Sequence, residues 1–571
     1  MNWINSQQSI SSQWQFYLRF FKGCGRSLLA STAGAVAAAG ILLLVPMLVS
    51  HVFNEIIPQQ RYGTLILIAI LMLGIQGAYL GTSLWVQRKV LTISKVVTKA
   101  LRREAVSKLY SLSDRAYTHL NRAGLHAKLI IDTGRVDRMT EELIGSLLPS
   151  LIVGAMLFCG MLYVSWQLFL VAVAVFLSLI PTIRWAGNRL SKLAQKNQRI
   201  VRNYSARLEF SISHIMLTRL KSAEDLELGI HDAMIEEVAQ SERALAIWKN
   251  IFSELQNFFA FATAVVLLGV GVGATSAGWL TLGEMLAFYV LAMLFRGQYA
   301  RFSQALTPVV EGIQALSTVQ DVICFQDDLP YKGTKQIEFQ GNIRFCNVGF
   351  GYTDDILIKD LSFELQPGHI VGIVGPNGTG KSTIIKLILG FYRPAFGQVL
   401  VDQQPLDTLD LHSYRRRIGV VMQDPMMFRG SVAENIGYGD PELRQDRIRA
   451  VARIATADKF VEDLSMGYDT PIGDAGVLLS GGQQQKISIA RAIYNQPRLL
   501  ILDEPTNHLD SRSVDTVLHN LSALPQKPSV LIISHDVRAL SRADVLYRLE
   551  TGRLFLESPQ PLRIARAGDA T

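Results

Sequence analysis

The chain has 571 residues, with 56 Lys and Arg against 48 Asp and Glu for a formal charge of +8, yet only 18% of its residues are charged. Soluble domains carry about 25% charge and the mean hydropathy here is +0.23, which excludes disorder and argues against an ordinary soluble protein. Cys24, Cys159, Cys324 and Cys346 form no CxxC pair and no metal-ligand spacing, so neither a disulfide framework nor a zinc site is predicted.

Residues 1–25 place Trp14, Phe16, Tyr17, Phe20 and Phe21 around Arg19 and Lys22, a pattern that predicts an interfacial helix on the inner leaflet. Uncharged runs then extend from Ser27 to Asn54, Tyr62 to Gln87, Leu143 to Ile183 and Leu255 to Gly283. A helix crosses the hydrocarbon core with about 20 apolar residues. The third run is twice that, so it predicts two spans with a turn near Ser165. A further span from about Leu282 to Phe302 carries Glu284 at its start and Arg296 and Arg301 towards its end. Six spans are therefore expected, at about 27–54, 62–87, 143–164, 167–187, 253–275 and 281–302, within a membrane domain of residues 26–325. The first apolar run begins too late and is too long for a secretory signal peptide.

The connections alternate. Residues 88–141 hold 12 basic and 5 acidic residues, and residues 189–250 hold 10 and 8, whereas the other loops are short. The positive-inside rule places both long loops and both termini in the cytoplasm. Apolar residues at three- and four-residue spacing, such as Val97, Leu101, Val106 and Leu109, predict that the spans continue into the cytoplasm as helices.

Residues 326–340 read as a linker and residues 341–571 as an α/β domain, from alternating strand and helix patterns. The apolar strand Val371-Gly372-Ile373-Val374 runs into Gly375-Pro376-Asn377-Gly378-Thr379-Gly380-Lys381-Ser382-Thr383 and an apolar helix. That is a phosphate-binding loop in its expected context: glycines let backbone N–H groups wrap phosphates, Lys381 neutralises them, and Ser382 offers a hydroxyl to Mg²⁺. A second apolar strand, Leu499 to Leu502, ends in Asp503-Glu504, a pair suited to holding the metal and activating water. Ser480-Gly481-Gly482-Gln483 precedes a helical pattern and reads as an anion site at a helix N-terminus. One nucleotide pocket has no use for two such turns, which suggests that a second copy of the domain donates this one.

With these motifs in this order, residues ~10–565 are similar to an ATP-binding-cassette exporter of the six-span half-transporter type, an association of motifs around the P-loop. The resemblance implies a multidomain chain: an all-α six-helix transmembrane domain with long cytoplasmic extensions, then an α/β P-loop ATPase. It implies that Tyr352 stacks on adenine, that Gln423 joins Ser382 and Asp503 around Mg²⁺, and that Ser480, Gly481 and Gly482 contact the γ-phosphate held by the other subunit. Glu504 resembles the catalytic glutamate, Asp510 the acid crossing the dimer interface, and His535 the switch histidine. Asp474-Ala475, Asn507-His508 and Gln484 depart from the usual exporter pattern. The segments Ser113 to Asn121 and Phe210 to Leu220 resemble the transverse coupling helices of the family.

The implied function is ATP-driven export or flipping of an amphipathic substrate across the cytoplasmic membrane by alternating access. A homodimer is favoured over a heterodimer, with ATP and Mg²⁺ as cofactors. A peptide or drug exporter is the alternative to a lipid or lipid-linked substrate, and a membrane-tethered regulatory ATPase is a more distant one. Ionisable residues within spans are functional candidates, so Arg296, Arg301 and Arg184 are the candidate substrate residues, suited to an anionic head group. The region from Tyr331 onward balances 27 basic against 27 acidic residues. The positive excess therefore labels the cytoplasmic loops, and no nucleic-acid partner is expected.

Overall fold

The computed structural model describes residues 10–119, 125–126, 128–327, 330–353, 355–473, 476–509, 511–535, 540 and 542–557. Two compact units emerge, one from residues 1–108 and 122–324, the other from residues 109–121 and 325–571.

The first unit is helical. A short helix, Ile10–Leu18, precedes the long helices Gly25–His51, Tyr62–Ser111, Leu148–Val164, Trp166–Ser213, Glu224–Ser276 and Leu282–Ile323. π-helical turns extend Gly25–His51 to Ile56 and join Thr133–Glu142 to Leu148–Val164. The turn expected near Ser165 is a single extended residue, whose hydroxyl accepts from the amide of Leu168 and so caps the next helix. Two of the long helices run without interruption well beyond the length of a span: 50 residues in Tyr62–Ser111 and 53 in Glu224–Ser276.

Five helical stretches among the described residues are long and apolar enough to cross a membrane: Gly25–Ile56, Tyr62–Ser111, Lys128–Val164, Trp166–Ser213 and Glu224–Ser276. Leu282–Ile323 is equally continuous but carries Glu284, Arg296 and Arg301 in its first half, and stands apart from the five. None of the most apolar stretch of Tyr62–Ser111 is buried, against 28% of that in Lys128–Val164. Apolar surface of that extent is left for lipid or a second chain. Within the unit, Ala39, Leu42, Val153, Leu157, Phe288 and Leu291 form one core. Val90, Ile93, Val97, Leu101, Val136, Met139 and Leu316 form another, which also takes up Phe16, Tyr17 and Phe20. The Tyr17 hydroxyl lies 2.8 Å from that of Thr140, and Arg19 pairs with Glu104 while covering the rings of Phe16 and Phe20. The aromatic face of the N-terminal helix is thus buried in protein.

The second unit holds a six-stranded sheet in the order Arg553–Glu557, Val545–Glu550, Ile370–Val374, Ser529–Ile533, Leu499–Asp503, Ile418–Val421. All pairings are parallel except that of the first two strands. Leu499–Asp503 and Ser529–Ile533 are buried at every position, as expected for a parallel sheet covered on both faces. One core packs against the helix Lys381–Ile388 and the antiparallel strands Ile343–Phe350 and Ile358–Leu365; the other contains the helix Gly481–Tyr494. The carboxyl ends of the parallel strands are where ligands of open α/β sheets bind.

Candidate functional site

Ile370–Val374 delivers the chain into the loop that ends at the helix Lys381–Ile388. Gly378 and Gly380 have φ of 81° and 105°, conformations that L side chains avoid. At Gly375 a Cβ would stand 2.5 Å from the Leu549 carbonyl oxygen, so that position has no room for a side chain. Lys381 is buried, and its ammonium folds back over the loop, donating to the carbonyls of Gly375 at 2.6 Å and Pro376 at 3.3 Å.

The strand Leu499–Asp503 carries its acids to the same place. The Ser382 hydroxyl lies 3.4 Å from Asp503 Oδ2. Glu504 leaves the strand with φ 48° and ψ 52° and donates its amide to the Ile533 carbonyl of the neighbouring strand. A left-handed residue other than glycine costs about 1–2 kcal/mol, which the surrounding sheet must offset. Its carboxylate is held on both sides: Oε1 is 3.4 Å from Lys381 Nζ, and Oε2 accepts from the His535 amide at 3.1 Å and lies 2.6 Å from His535 Nδ1. Burial, and then the charge of Glu504, push the Asp503 carboxyl up to about 6.

Two buried adjacent acids facing one lysine form a site that favours additional positive charge. A serine hydroxyl and a carboxylate are hard oxygen donors of the kind Mg²⁺ takes alongside substrate phosphates, so the residues present fit that ion. No cluster of three or more His, Cys, Asp or Glu among the described residues would hold a metal by itself. Gln423, expected as a third ligand, is exposed just beyond Ile418–Val421, and among the described residues no hydrogen bond joins it to Ser382 or Asp503.

Tyr352 lies beside the loop, its hydroxyl 3.1 Å from Thr383 Oγ1, its ring edge-on to Phe350 and Tyr392, and its side remains 43% exposed. The second glycine turn caps the helix Gly481–Tyr494. The Ser480 hydroxyl accepts from the Gln483 amide, and the Gln483 side chain returns the bond to the Ser480 amide. Gln483 is therefore engaged in the cap. Beside this turn stands His508: a Cβ on Gly481 would meet its Nδ1 at 2.8 Å, and one on Gly482 its carbonyl at 2.9 Å. Asp510, Asp474 and Ala475 lie outside the described residues.

Sequence reasoning did not single out Arg491. It reaches from the Gly481–Tyr494 helix to the carbonyls of Met426 and Asn435 and to the Asn435 side chain, tying that helix to the segment after Gln423. Nor did it find the carboxylate of Asp114, which receives Lys386 Nζ at 2.8 Å and the Tyr392 hydroxyl at 2.9 Å. In the helical unit, Arg296 donates to Asn257 Oδ1 at 2.9 Å, Arg301 lies 3.4 Å from the Tyr79 hydroxyl, and Arg184 is exposed.

Comparison with known proteins gives two matches to family models. The one described as ABC transporter transmembrane region covers residues 28–299, and the one described as ABC transporter covers residues 358–507. An ATP-dependent lipid A-core flippase of Cupriavidus metallidurans is 31% identical over 436 residues, 75% of this chain and 73% of that protein. A multidrug resistance ABC transporter ATP-binding and permease protein of Lactococcus lactis is 28% identical over 466 residues, 80% of this chain and 78% of its own length. The ABC multidrug transporter mdr2 of Aspergillus fumigatus is 31% identical over 467 residues, 80% of this chain but only 58% of the fungal protein.

Proposed function

The chain belongs to the ABC transporter family, and from that premise we propose that it is one half of a dimeric exporter that hydrolyses ATP to carry or flip an amphipathic substrate across the cytoplasmic membrane. The observation that carries this reading is the convergence of Lys381, Ser382, Asp503, Glu504 and His535 at one end of a parallel sheet, in a chain that also supplies a helical membrane region.

In this mechanism ATP draws Lys381 from the carbonyls of Gly375 and Pro376 onto its phosphates. Glu504, released from the lysine but still held by the His535 amide, takes a proton from the attacking water, whose oxygen bonds to the γ-phosphorus as the bond to ADP breaks. Ser382 and Asp503, with Gln423 after a shift of its loop, would hold Mg²⁺, whose chemistry is to neutralise phosphate charge. His535 keeps the carboxylate aimed through both its amide and its ring. Ser480, Gly481 and Gly482 of a second copy supply N–H groups to the γ-phosphate, and Asp510 crosses the same interface. A homodimer provides two such sites.

Closure reaches the membrane region through the segments 113–121 and 210–220. Ile212, Met216 and Leu220 of the latter are exposed, which suits docking on a partner. Both termini lie in the cytoplasm, and Leu282–Ile323 is the sixth span. Arg296, Arg301 and Arg184 then form a basic lining for a lipid or lipid-linked substrate with an anionic head group, a reading favoured by the relatives named as lipid A-core flippases. Relatives named for drugs and for leukotoxin export keep a drug or peptide substrate as the second reading.

The test is vectorial transport in proteoliposomes together with a screen for ATPase stimulation by native lipids, peptides and drugs, repeated with Arg296→Ala. Lipid stimulation that is lost in the variant is expected. An unchanged response dismisses the anion site, and hydrolysis without movement of any substrate leaves a regulatory ATPase.

A further inference from the structure

We propose that Asp114 is a positioning residue for the adenine platform: it holds Tyr392 and Lys386, and through them the ring of Tyr352, so that the segment following Tyr62–Ser111 sets the affinity of the nucleotide site. The inference rests on the ATP-hydrolysing reading above.

Asp114 opens the short helix Asp114–His119, which belongs to the same compact unit as the phosphate loop. One further bond pins the segment there, and another caps its helix. The Ser113 amide donates to the Asp327 carbonyl at 2.9 Å, and the Ser113 hydroxyl accepts from the Ala116 amide at 3.1 Å. On the other side of the carboxylate, Lys386 lies in the helix that begins at the phosphate loop, and Tyr392 lies just beyond that helix. The Tyr392 ring meets Tyr352 at 5.3 Å and 88°, and both meet Phe350 edge to face at 5.3 and 5.0 Å. Lys386 Nζ stands 6.0 Å from the Tyr352 ring centre and 5.6 Å from that of Tyr392.

The ring of Tyr352 thus has its edges fixed by Phe350 and Tyr392 and its hydroxyl by Thr383. Of these supports, Tyr392 is the one anchored on a residue remote in sequence, since Asp114 lies 278 positions away. A tyrosine ring turns about two torsions, and holding it in the orientation that receives a base spares that ordering when the nucleotide arrives. Removing Asp114 frees Tyr392 and withdraws the acceptor from Lys386. By linkage, ATP bound against Tyr352 must in turn favour the docked Asp114–His119 helix by the same factor.

The experiment uses the full chain in nanodiscs and compares Asp114→Ala, Asp114→Asn and Tyr392→Phe with the wild type. Loss of one aromatic contact corresponds to roughly a three- to tenfold change in affinity, so KM for ATP should rise by about that factor in Asp114→Ala and Tyr392→Phe, with kcat falling less than about twofold. The two changes together should raise KM no further than Asp114→Ala alone, because Tyr392→Phe removes a bond that this variant has already lost. Asp114→Asn, whose amide oxygen still accepts from Tyr392, should recover most of the loss. Inorganic tripolyphosphate, a competitor without a base, should inhibit wild type and variants equally, and a general loosening of the domain would weaken it as well. An unchanged KM in Tyr392→Phe, or an equal loss for tripolyphosphate, overturns the inference. A wild type that releases no phosphate from ATP overturns the parent reading instead.

Discussion

Two glycine-rich turns open helices in the C-terminal unit, and their surroundings differ. The loop Gly375–Gly380 is surrounded by its own chain's chemistry: Lys381 within 3.4 Å of Glu504, Ser382 within 3.4 Å of Asp503, and His535 within 2.6 Å of Glu504. The turn at Ser480 has its reciprocal cap with Gln483 and a neighbouring His508; the described contacts bring it no acid and no lysine. Both can present N–H groups and a positive dipole end to an anion. In the proposed mechanism the first binds and cleaves the triphosphate and lacks only a donor on the far side of the γ-phosphate, and the second would be such a donor. A second copy, as proposed above, would resolve both deficits at once.

The largest effect tests the first half of that contrast. Glu504→Gln keeps the shape of the site and the bonds from His535 but cannot take a proton. Phosphate release should fall by about 10²–10⁴-fold, while ATP remains bound through gel filtration. Brisk release from this variant would remove the base assignment and, with it, the claim that the loop side is chemically complete.

The next tests the second half. Lys381→Ala and Gly481→Asp each disable one turn, so each homodimer should be inactive. Mixing the chains makes half the dimers mixed, and in each of these one site pairs the intact loop of one chain with the intact turn of the other. Activity should return to about a quarter of wild type, given two independent sites in a twofold dimer. No recovery in a sample shown to contain mixed dimers would mean that each chain completes its own site.

A smaller effect separates the turn's two neighbours. Gly481→Ala places a methyl near the exposed His508 ring, which can move aside, so thermal stability should change by no more than about 1 kcal/mol. If the face is reserved for a phosphate from the second copy, ATPase activity should still drop by about tenfold or more, and His508→Ala should not restore it. Restoration would make the crowding by His508 the whole effect.

The contrast also explains what could be read from the sequence. The loop, the paired acids and the histidine each follow an apolar strand directly, so local pattern places them at the same end of one sheet, and the structure brings them within hydrogen-bonding distance. The turn near Ser165 and the long continuous helices follow from local pattern in the same way. Pairings between distant segments were not legible: Lys386 and Asp114 are 272 positions apart, and Arg491 meets Met426 across 65. Nor does any pattern in sequence reveal that Glu504 is left-handed, with its amide bonded to the Ile533 carbonyl of the neighbouring strand. The charged helix Leu282–Ile323 remains the hardest to place, because its arginines lower the apolar signal on which spans are recognised.

The smallest predicted effect is an absence of pH dependence on the base side of the loop. Burial is the largest influence on the Asp114 carboxyl and raises it, but the bonds from Lys386 and Tyr392 outweigh burial and hold it below the ordinary carboxylate value. Among the described contacts, Lys386 and Tyr392 face it, with Arg115 acting on the Tyr392 hydroxyl from the adjoining position. A carboxyl lowered on folding contributes stability that is complete above its unfolded value, about 4, and is lost only as the pH falls through the folded one. The ratio of KM for ATP between Asp114→Ala and wild type should therefore stay flat from about pH 8 to about pH 6. A ratio that collapses towards unity by pH 6 would mean that the carboxylate is protonated where its bonds to Lys386 and Tyr392 require it charged, and the contact would then not be the one that orients Tyr352.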